Sequence, residues 1–125
     1  MNSQDYNIYD ILPVPKPRMT QRDKWLKPPR DCVAKYWSFV NWTKAYNVTF
    51  KPYDSEIIFI LPMPKSWSDT KRVENYHQPH EVKPDLSNLL KALEDAVYKN
   101  NDQKIFSYGR LLKLWGYKGQ IWIRK

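Results

Sequence analysis

Hydrophobic residues recur with helical spacing between residues 84 and 98. One face of the implied helix carries five apolar side chains at positions i, i+3, i+4, i+7 and i+11, namely Leu86, Leu89, Leu90, Leu93 and Val97. Pro84 suits a position just before or at the first turn of a helix, and Asp85 is a suitable N-cap. The pattern predicts an amphipathic helix over residues 85–98 whose apolar face packs against the rest of the chain.

Other segments have the composition of β-strands. Residues 6–12 are rich in β-formers, and residues 56–61 form a continuous apolar run that predicts a central strand buried on both faces. Residues 104–115 and 120–124 are separated by a turn at 116–119, which predicts a C-terminal hairpin.

A second helix is predicted over residues 31–46, with Asp31 as its cap. Its apolar stripe is expected to consist of Val33, Trp37 and Val40, and its other faces are aromatic as well. Such an excess of aromatic residues favours a core or a subunit interface. The segment 65–83 shows no periodicity and is predicted to be a long functional or mobile loop.

These elements together predict one α+β domain over residues 1–125. A mixed β-sheet, built from the early strand, the central strand and the C-terminal hairpin, is expected to pack against the two main helices. A chain of 125 residues is long enough for one core and too short for two.

The charge of the chain indicates an anionic partner. The net charge is +8 and the isoelectric point is about 9.5, which favours nucleic acid. A membrane partner is not expected, because no segment approaches the roughly 18 apolar residues of a spanning helix. The N-terminus does not resemble a secretion signal, and a single cysteine, Cys32, fits a reducing, cytoplasmic location. Cys32 is expected to be a small buried side chain.

Basic residues concentrate in a proline-rich segment, residues 16–30, which we call the basic arm. It contains six basic residues and one acid, together with Trp25: the basic residues are Lys16, Arg18, Arg22, Lys24, Lys27 and Arg30. The segment is either a solvated loop or a surface that contacts phosphates and stacks on bases. Lys71, Arg72 and Lys83 add further candidate nucleic-acid contacts in the segment before the helix predicted over residues 85–98.

The polar face of the helix over 85–98 permits two interpretations. Asn88, Lys91 and Asp95 lie within about 60° of one another around the helix axis, and Asp85 stands where the chain enters the helix. One interpretation is an N-cap followed by a Lys91–Asp95 surface pair. The other is a functional site built from carboxylate, amide and ammonium groups.

Several other kinds of site are excluded or disfavoured by the sequence. His77 and His80 have no further ligands at suitable spacing, so we do not expect zinc, and we interpret them as loop polar groups or phosphate contacts. With only three glycines, the chain has neither a P-loop nor a dinucleotide fingerprint.

Residues 83–96 resemble the signature of the RusA family of Holliday-junction resolvases, Pro-Asp-x-Asp-Asn-Leu-x-Lys-x-x-x-Asp-Ala. The similarity continues outside this helix. Residues 13–18, 61–67 and 114–117 also resemble segments of the family, the last two those of phage-type members, and they occur in the same order along the chain. The resemblance therefore covers most of the sequence.

The resemblance implies a small homodimeric nuclease that nicks four-way DNA junctions in recombination and repair, using Mg²⁺, with Mn²⁺ as the alternative ion. It implies an origin in a bacterial host cell, from a phage or prophage. Among the residues here, it gives catalytic roles to Asp85, Lys91, Asp95 and Asp102, and places Asn88 on the polar face of the helix. The expected metal ligands are Asp85, Asp102, Ser87 and Asn101. Carboxylate oxygens are the ligands that Mg²⁺ prefers.

The chain departs from the family pattern at its acidic positions. Ser87 stands where the family has its second acid, and Asn100 and Asn101 stand where it has a pair of acids in the following turn. Asp102 serves as a ligand only if the register slips by one residue. Two alternatives to a nuclease therefore remain: a RusA-fold protein that binds branched DNA or a protein partner without cutting, and a basic single-strand or RNA binder.

Overall fold

The computed structural model describes residues 2–125, which form a sheet of four strands and three α-helices. In chain order the elements are β1 (Tyr6–Tyr9), α1 (Asp31–Ala45), β2 (Ser55–Pro62), α2 (Asp69–Asn75), α3 (Leu86–Tyr98), β3 (Tyr108–Gly116) and β4 (Gln120–Arg124). Short 3-10 helices occupy Ser3–Asp5, Gln21–Lys24 and Lys99–Lys104. In this part of the chain, no helix has the length and hydropathy needed to cross a bilayer.

The sheet is mixed, with the strand order β1-β4-β2-β3. Strand β2 pairs in parallel with β3 and antiparallel with β4, and β1 closes the far edge against β4. Side chains on both faces of β2 are buried, from Ile57 at 0% exposure to Leu61 at 6%. The predicted α+β class, mixed sheet and buried central strand are confirmed.

The predicted C-terminal hairpin is wrong, because β3 and β4 are not neighbours. Strand β2 lies between them, so residues 117–119 must cross the end of β2 and bridge about twice the 4.8 Å spacing of paired strands. The turn residues correctly indicate a reversal of direction. They carry no information about pairing, which follows from the burial that β2 gains when both of its edges are covered.

Helices α1 and α3 pack on one face of the sheet and form the main core with it. On α3, Leu89 and Leu93 are fully buried, with Ala92 and Ala96 beside them. The other three leucine and valine positions of the predicted stripe, Leu86, Leu90 and Val97, lie at its margins and are partly buried. The predicted amphipathic helix is confirmed. The two fully buried leucines and the two alanines form the centre of its apolar face.

Helix α1 differs from its prediction in the residue that faces the core. Tyr36 is buried, whereas Trp37 is 51% exposed. Both i+3 and i+4 positions follow Val33 on one helical face, so the spacing alone cannot choose between these neighbours. Asp31 is the first helical residue and Arg30 occupies the N-cap position, so the predicted Asp31 cap is wrong. Cys32 is exposed, which contradicts its predicted burial.

The segment 65–83 is not a continuous loop, because it contains α2. The hydroxyl of Ser68 accepts a hydrogen bond from the backbone N–H of Lys71 at 3.2 Å and caps this helix. Seven residues are too few to show periodicity in the sequence. His80 is buried rather than a surface loop residue: its backbone N–H donates to the carbonyl of Lys113 at 2.9 Å, and its ring lies 4.0 Å from that of Trp115.

Two strands are shorter than predicted. Strand β1 ends at Tyr9, three residues early, because the chain leaves the sheet towards the proline-rich basic arm. Strand β3 begins at Tyr108 instead of residue 104, since Lys99–Lys104 forms a 3-10 helix.

We expect Gly116→Ala to destabilise the fold. An added Cβ would lie 2.2 Å from Cγ2 of Ile60, a side chain locked in the core, and such overpacking costs about 1–3 kcal/mol. Chemical denaturation measures this loss. Gly109→Ala is the matched control, because its Cβ would lie 3.0 Å from the carbonyl oxygen of Asp54 at an exposed position and should cost less. Equal stability of Gly116→Ala and the unmodified chain would contradict the packing described here.

Candidate nucleic-acid site

The candidate site begins at the N-terminus of α3, where Asp85 holds the N-cap position. Its carbonyl oxygen accepts the backbone N–H groups of Asn88 and Leu89, each at 3.1 Å. Its side chain makes no capping bond, contrary to expectation, and Oδ1 lies 3.5 Å from Nζ of Lys83. The carboxylate is 54% exposed and therefore accessible to a ligand.

The approach to this helix is held in place by Lys113 of β3. Its Nζ donates to the carbonyl oxygens of Val82 and Pro84 at 2.6 and 2.7 Å. The sequence analysis did not identify Lys113. The available signal was a lysine interrupting the apolar run of residues 111–115, a position that in a packed sheet needs a polar partner. Through these two bonds the edge strand positions the segment that carries Asp85.

Four charged residues form an alternating chain across the polar face of α3. The ammonium of Lys16 contacts Oδ2 of Asp95, and Nζ of Lys91 lies 3.4 Å from Oδ1 of the same carboxylate and 3.1 Å from Oδ2 of Asp102. We call Lys16, Asp95, Lys91 and Asp102 the ion-pair chain. It connects the basic arm, α3 and the 3-10 helix that follows α3. The surface-pair interpretation thus describes one link of a longer arrangement.

The protonation of this chain follows from its contacts. The hydrogen bond that Lys91 donates to Asp102 and the negative charge of Asp95 raise the pKa of Lys91 above its ordinary value. The same hydrogen bond lowers the pKa of Asp102. Lys91 is therefore a permanent cation at neutral pH and cannot act as a general base there. Since the side chains of Lys91 and Asp102 are 48% and 31% exposed, solvent screens their charges, and the pairs orient side chains more than they stabilise the fold.

The basic arm is tied to α3 and also folded on itself. The backbone N–H of Lys16 donates to the carbonyl of Asn88 at 3.3 Å, next to the side-chain contact with Asp95. Asp23 accepts two bonds from Arg30, at 2.7 and 2.8 Å, and one from the backbone of Thr20, which together lower its pKa. The remaining basic residues of the arm are exposed: Arg18, Arg22, Lys24 and Lys27.

The three cations outside the arm that were predicted to contact DNA have different surroundings: two contact neighbouring protein groups and one is exposed beside Asp85. Arg72 donates to the carbonyls of Pro64 and Trp67 at 3.1 and 3.3 Å and so stabilises the turn before α2. Lys71 lies 4.4 Å above the ring of Trp67, in a cation–π contact. Lys83 is exposed beside Asp85, so of these cations it lies nearest the N-terminus of α3.

The residues expected to hold a metal lie in two groups. Asp85 and Ser87 are exposed at the start of α3, while Asn100, Asn101 and Asp102 lie in the 3-10 helix after it. Within residues 2–125 no three His, Cys, Asp or Glu side chains are placed to share an ion. Mg²⁺ commonly binds through one or two carboxylates, waters and substrate phosphates. The donors present therefore fit an open site completed by DNA, and do not fit a closed one.

We expect Asp102→Asn to lower the pKa of Lys91 towards its ordinary value of 10.5. The substitution removes the hydrogen bond that contributes most to the raised pKa, while Asp95 remains to keep part of the shift. An NMR titration of the lysine side-chain resonances measures the change. Asp31→Asn is the control, because Asp31 pairs with Lys35 on another surface. An unchanged Lys91 titration in Asp102→Asn would refute the contact.

The same pairing predicts how stability depends on pH. The lowered pKa of Asp102 contributes stability that is present above the ordinary carboxyl value of 3.8 and is lost as the pH falls through the lower folded value. The raised pKa of Lys91 contributes stability that is lost only in strongly basic solution.

A comparison with models of protein families identifies the family of this chain. The model described as Endodeoxyribonuclease RusA matches residues 9–124, which include the basic arm, α3 and every strand after β1. No curated protein and no solved structure matches the chain. RusA proteins in general resolve Holliday junctions and depend on a divalent metal. The match confirms the resemblance found in residues 83–96, and the chain belongs to the RusA family of endodeoxyribonucleases.

Proposed function

We propose that this chain is a divalent-metal-dependent endonuclease that binds and nicks four-way DNA junctions in the cytoplasm of a bacterial cell, with a phage or prophage origin. One observation carries the proposal: the exposed polar face of α3 presents Asp85 and Lys91, and the basic arm is tied to that same face through Lys16. DNA held by the arm would thus lie against the residues that the family motif assigns to chemistry.

In this proposal Lys91 stabilises charge. Phosphodiester hydrolysis builds negative charge on the phosphoryl oxygens, and a fixed cation beside them lowers the barrier. Asp95 and Asp102 hold the ammonium from two sides and raise its pKa, which keeps it protonated throughout the reaction. Asp95 also holds Lys16, so one carboxylate orients a cation of the arm and a cation of the helix.

A divalent ion, where bound, would polarise the phosphate and lower the pKa of a bound water. Asp85 and Ser87 are the residues that would hold it at the start of α3, with Asp102 and Asn101 as the donors of the following turn. Of these four residues, only Asp85 and Asp102 are anionic. Asp102 lies 3.1 Å from Nζ of Lys91, whereas Asp85 lies 3.5 Å from Nζ of Lys83 and is therefore less tightly paired. The proposal therefore depends on Asp85 above the others.

Cleavage of a synthetic four-way junction in Mg²⁺ or Mn²⁺ tests the proposal. We expect symmetric nicks near the branch point, abolished by Asp85→Asn and slowed on the order of 10²–10³-fold by Lys91→Met. Junction binding, measured separately without metal, should survive Asp85→Asn. Asp31→Asn removes an acid from a distant surface and should leave cleavage unchanged. Absence of nicking by a protein that binds the junction would refute the proposal.

A second candidate function is binding of branched DNA without cleavage. It is favoured by the neutralised state of the acids: Asp95 contacts two lysines and Asp102 one. The substitutions Ser87→Asp, Asn100→Asp and Asn101→Asp restore the acidic pattern of the family. If the unmodified chain binds junctions and does not cut them, while the restored chain cuts, the second candidate is correct.

We further propose that the chain acts as a homodimer, because a junction resolved symmetrically needs a cut in each of two strands. Light scattering of the free protein should give twice the monomer mass of 15.1 kDa. A monomeric mass at micromolar concentration, combined with single-strand nicking, would contradict the dimer and leave the nuclease proposal intact.

A further inference from the structure

The exposed Trp37 lies in a cleft whose other lining is rich in lysine. The cleft has a volume of about 320 Å³ and lies between the basic arm, α1 and the turn after α3. Lys16, Lys44 and Lys99 line it, one from each of these elements, and Tyr36 and Trp37 supply its aromatic wall. We call it the tryptophan cleft. Its size suits one nucleotide.

We propose that the tryptophan cleft receives one unstacked nucleotide of branched DNA, with Trp37 stacking on the base and the three lysines facing its phosphates. This proposal rests on the proposed function, because it names a contact that would distinguish a branch point from a continuous duplex. At a branch point, bases next to the crossover can leave the stack at low cost. In a duplex they cannot, since unstacking them costs free energy.

The charges around Trp37 support an anionic ligand. Neither Lys44 nor Lys99 forms a salt bridge with any residue in the described part of the chain. A second cleft of about 350 Å³ is also lined by Trp37, shares Lys16 with the first and adds Lys24 together with Asp23. The indole therefore borders two clefts that both contain lysines. An aromatic ring among lysines is the combination that binds single-stranded nucleic acid.

The backbone of Lys99 supports the same conclusion. Its φ of 54° and ψ of −122° lie in a region that glycine adopts readily and residues with a Cβ rarely adopt. A lysine at this position ends α3 at a conformational cost that glycine would not incur. Its side chain lines the tryptophan cleft, where its ammonium group would face a phosphate of the bound nucleotide.

The cleft also connects with the ion-pair chain. Asp95 lines the cleft and contacts Lys16 and Lys91 at the same time. A base in the cleft would thus lie beside the carboxylate that holds Lys91. Binding of the branch point and placement of the phosphate against α3 would depend on one shared group.

The test compares Trp37→Ala with Trp42→Ala. Trp42 is equally exposed on the same helix, stacks on Tyr46, and borders a different cleft. Affinities are measured without metal for a four-way junction, a linear duplex of the same sequence and a short oligothymidylate. We expect Trp37→Ala to weaken junction and single-strand binding about 10-fold or more. Trp37→Phe should retain most of the affinity, and duplex binding should be unchanged in all variants.

A junction carrying 2-aminopurine next to the crossover reports stacking directly. The fluorescence of this base should be quenched by the unmodified protein and by Trp42→Ala, and not by Trp37→Ala.

The variant Lys99→Gly provides a readout that misfolding cannot imitate. We expect higher thermal stability, because glycine adopts the backbone conformation of residue 99 without strain, together with weaker junction binding.

Two outcomes overturn the inference. The first is equal junction affinity of Trp37→Ala and Trp42→Ala, and the second is a loss in Trp37→Ala that is as large for the duplex as for the junction. Failure of the proposed function looks different: the unmodified protein would show no preference for the junction over the duplex. The single-strand measurement still decides the role of Trp37 in that case.

Discussion

The burial of β2 is the constraint on which the rest of this fold depends. Its side chains are apolar on both faces, so both faces need cover and both edges need hydrogen-bonding partners. Strand β3 satisfies one edge in parallel and β4 the other edge antiparallel, while α1 and α3 cover one face. The parallel pairing of β2 and β3 requires a long crossover. That crossover contains α2 and α3, and it brings the start of α3 to the β3 edge of the sheet, where Lys113 anchors it.

Charge compensation organises the surface in the same way that burial organises the core. A chain with a net charge of +8 has to bring lysines close to one another if it is to form an anion-binding surface. Asp95 makes this possible on α3, because it contacts Lys16 and Lys91 together. Within the basic arm, Asp23 pairs with a single cation, Arg30. These two acids offset part of the repulsion among the cations near them.

Much of this arrangement could be predicted from the sequence, and the failures have physical causes. The leucine period located α3 to within one residue, and the apolar run located β2, because each pattern is a direct consequence of burial. The order of the strands could not be read, since the tight turn after Gly116 looks the same whether β4 pairs with β3 or crosses to β2. For α1 the spacing allowed either Tyr36 or Trp37 to face the core, and only the shape of the packed layer decides between them.

The site shows the same division between pattern and context. The motif residues of α3 were recognised together with Lys16 and Asp102, but their mutual contacts depend on how the arm and the following turn fold back onto the helix. Trp37 and Lys44 lie seven residues apart on α1, but Lys99 belongs to a segment far away in sequence, so no local pattern predicts that they line one cleft. The misassignment of Trp37 to the core and its place in a lysine-lined cleft have one origin. A large aromatic residue contributes to a hydrophobic pattern whether it faces the interior or a ligand, and its neighbours in space determine which of the two it does.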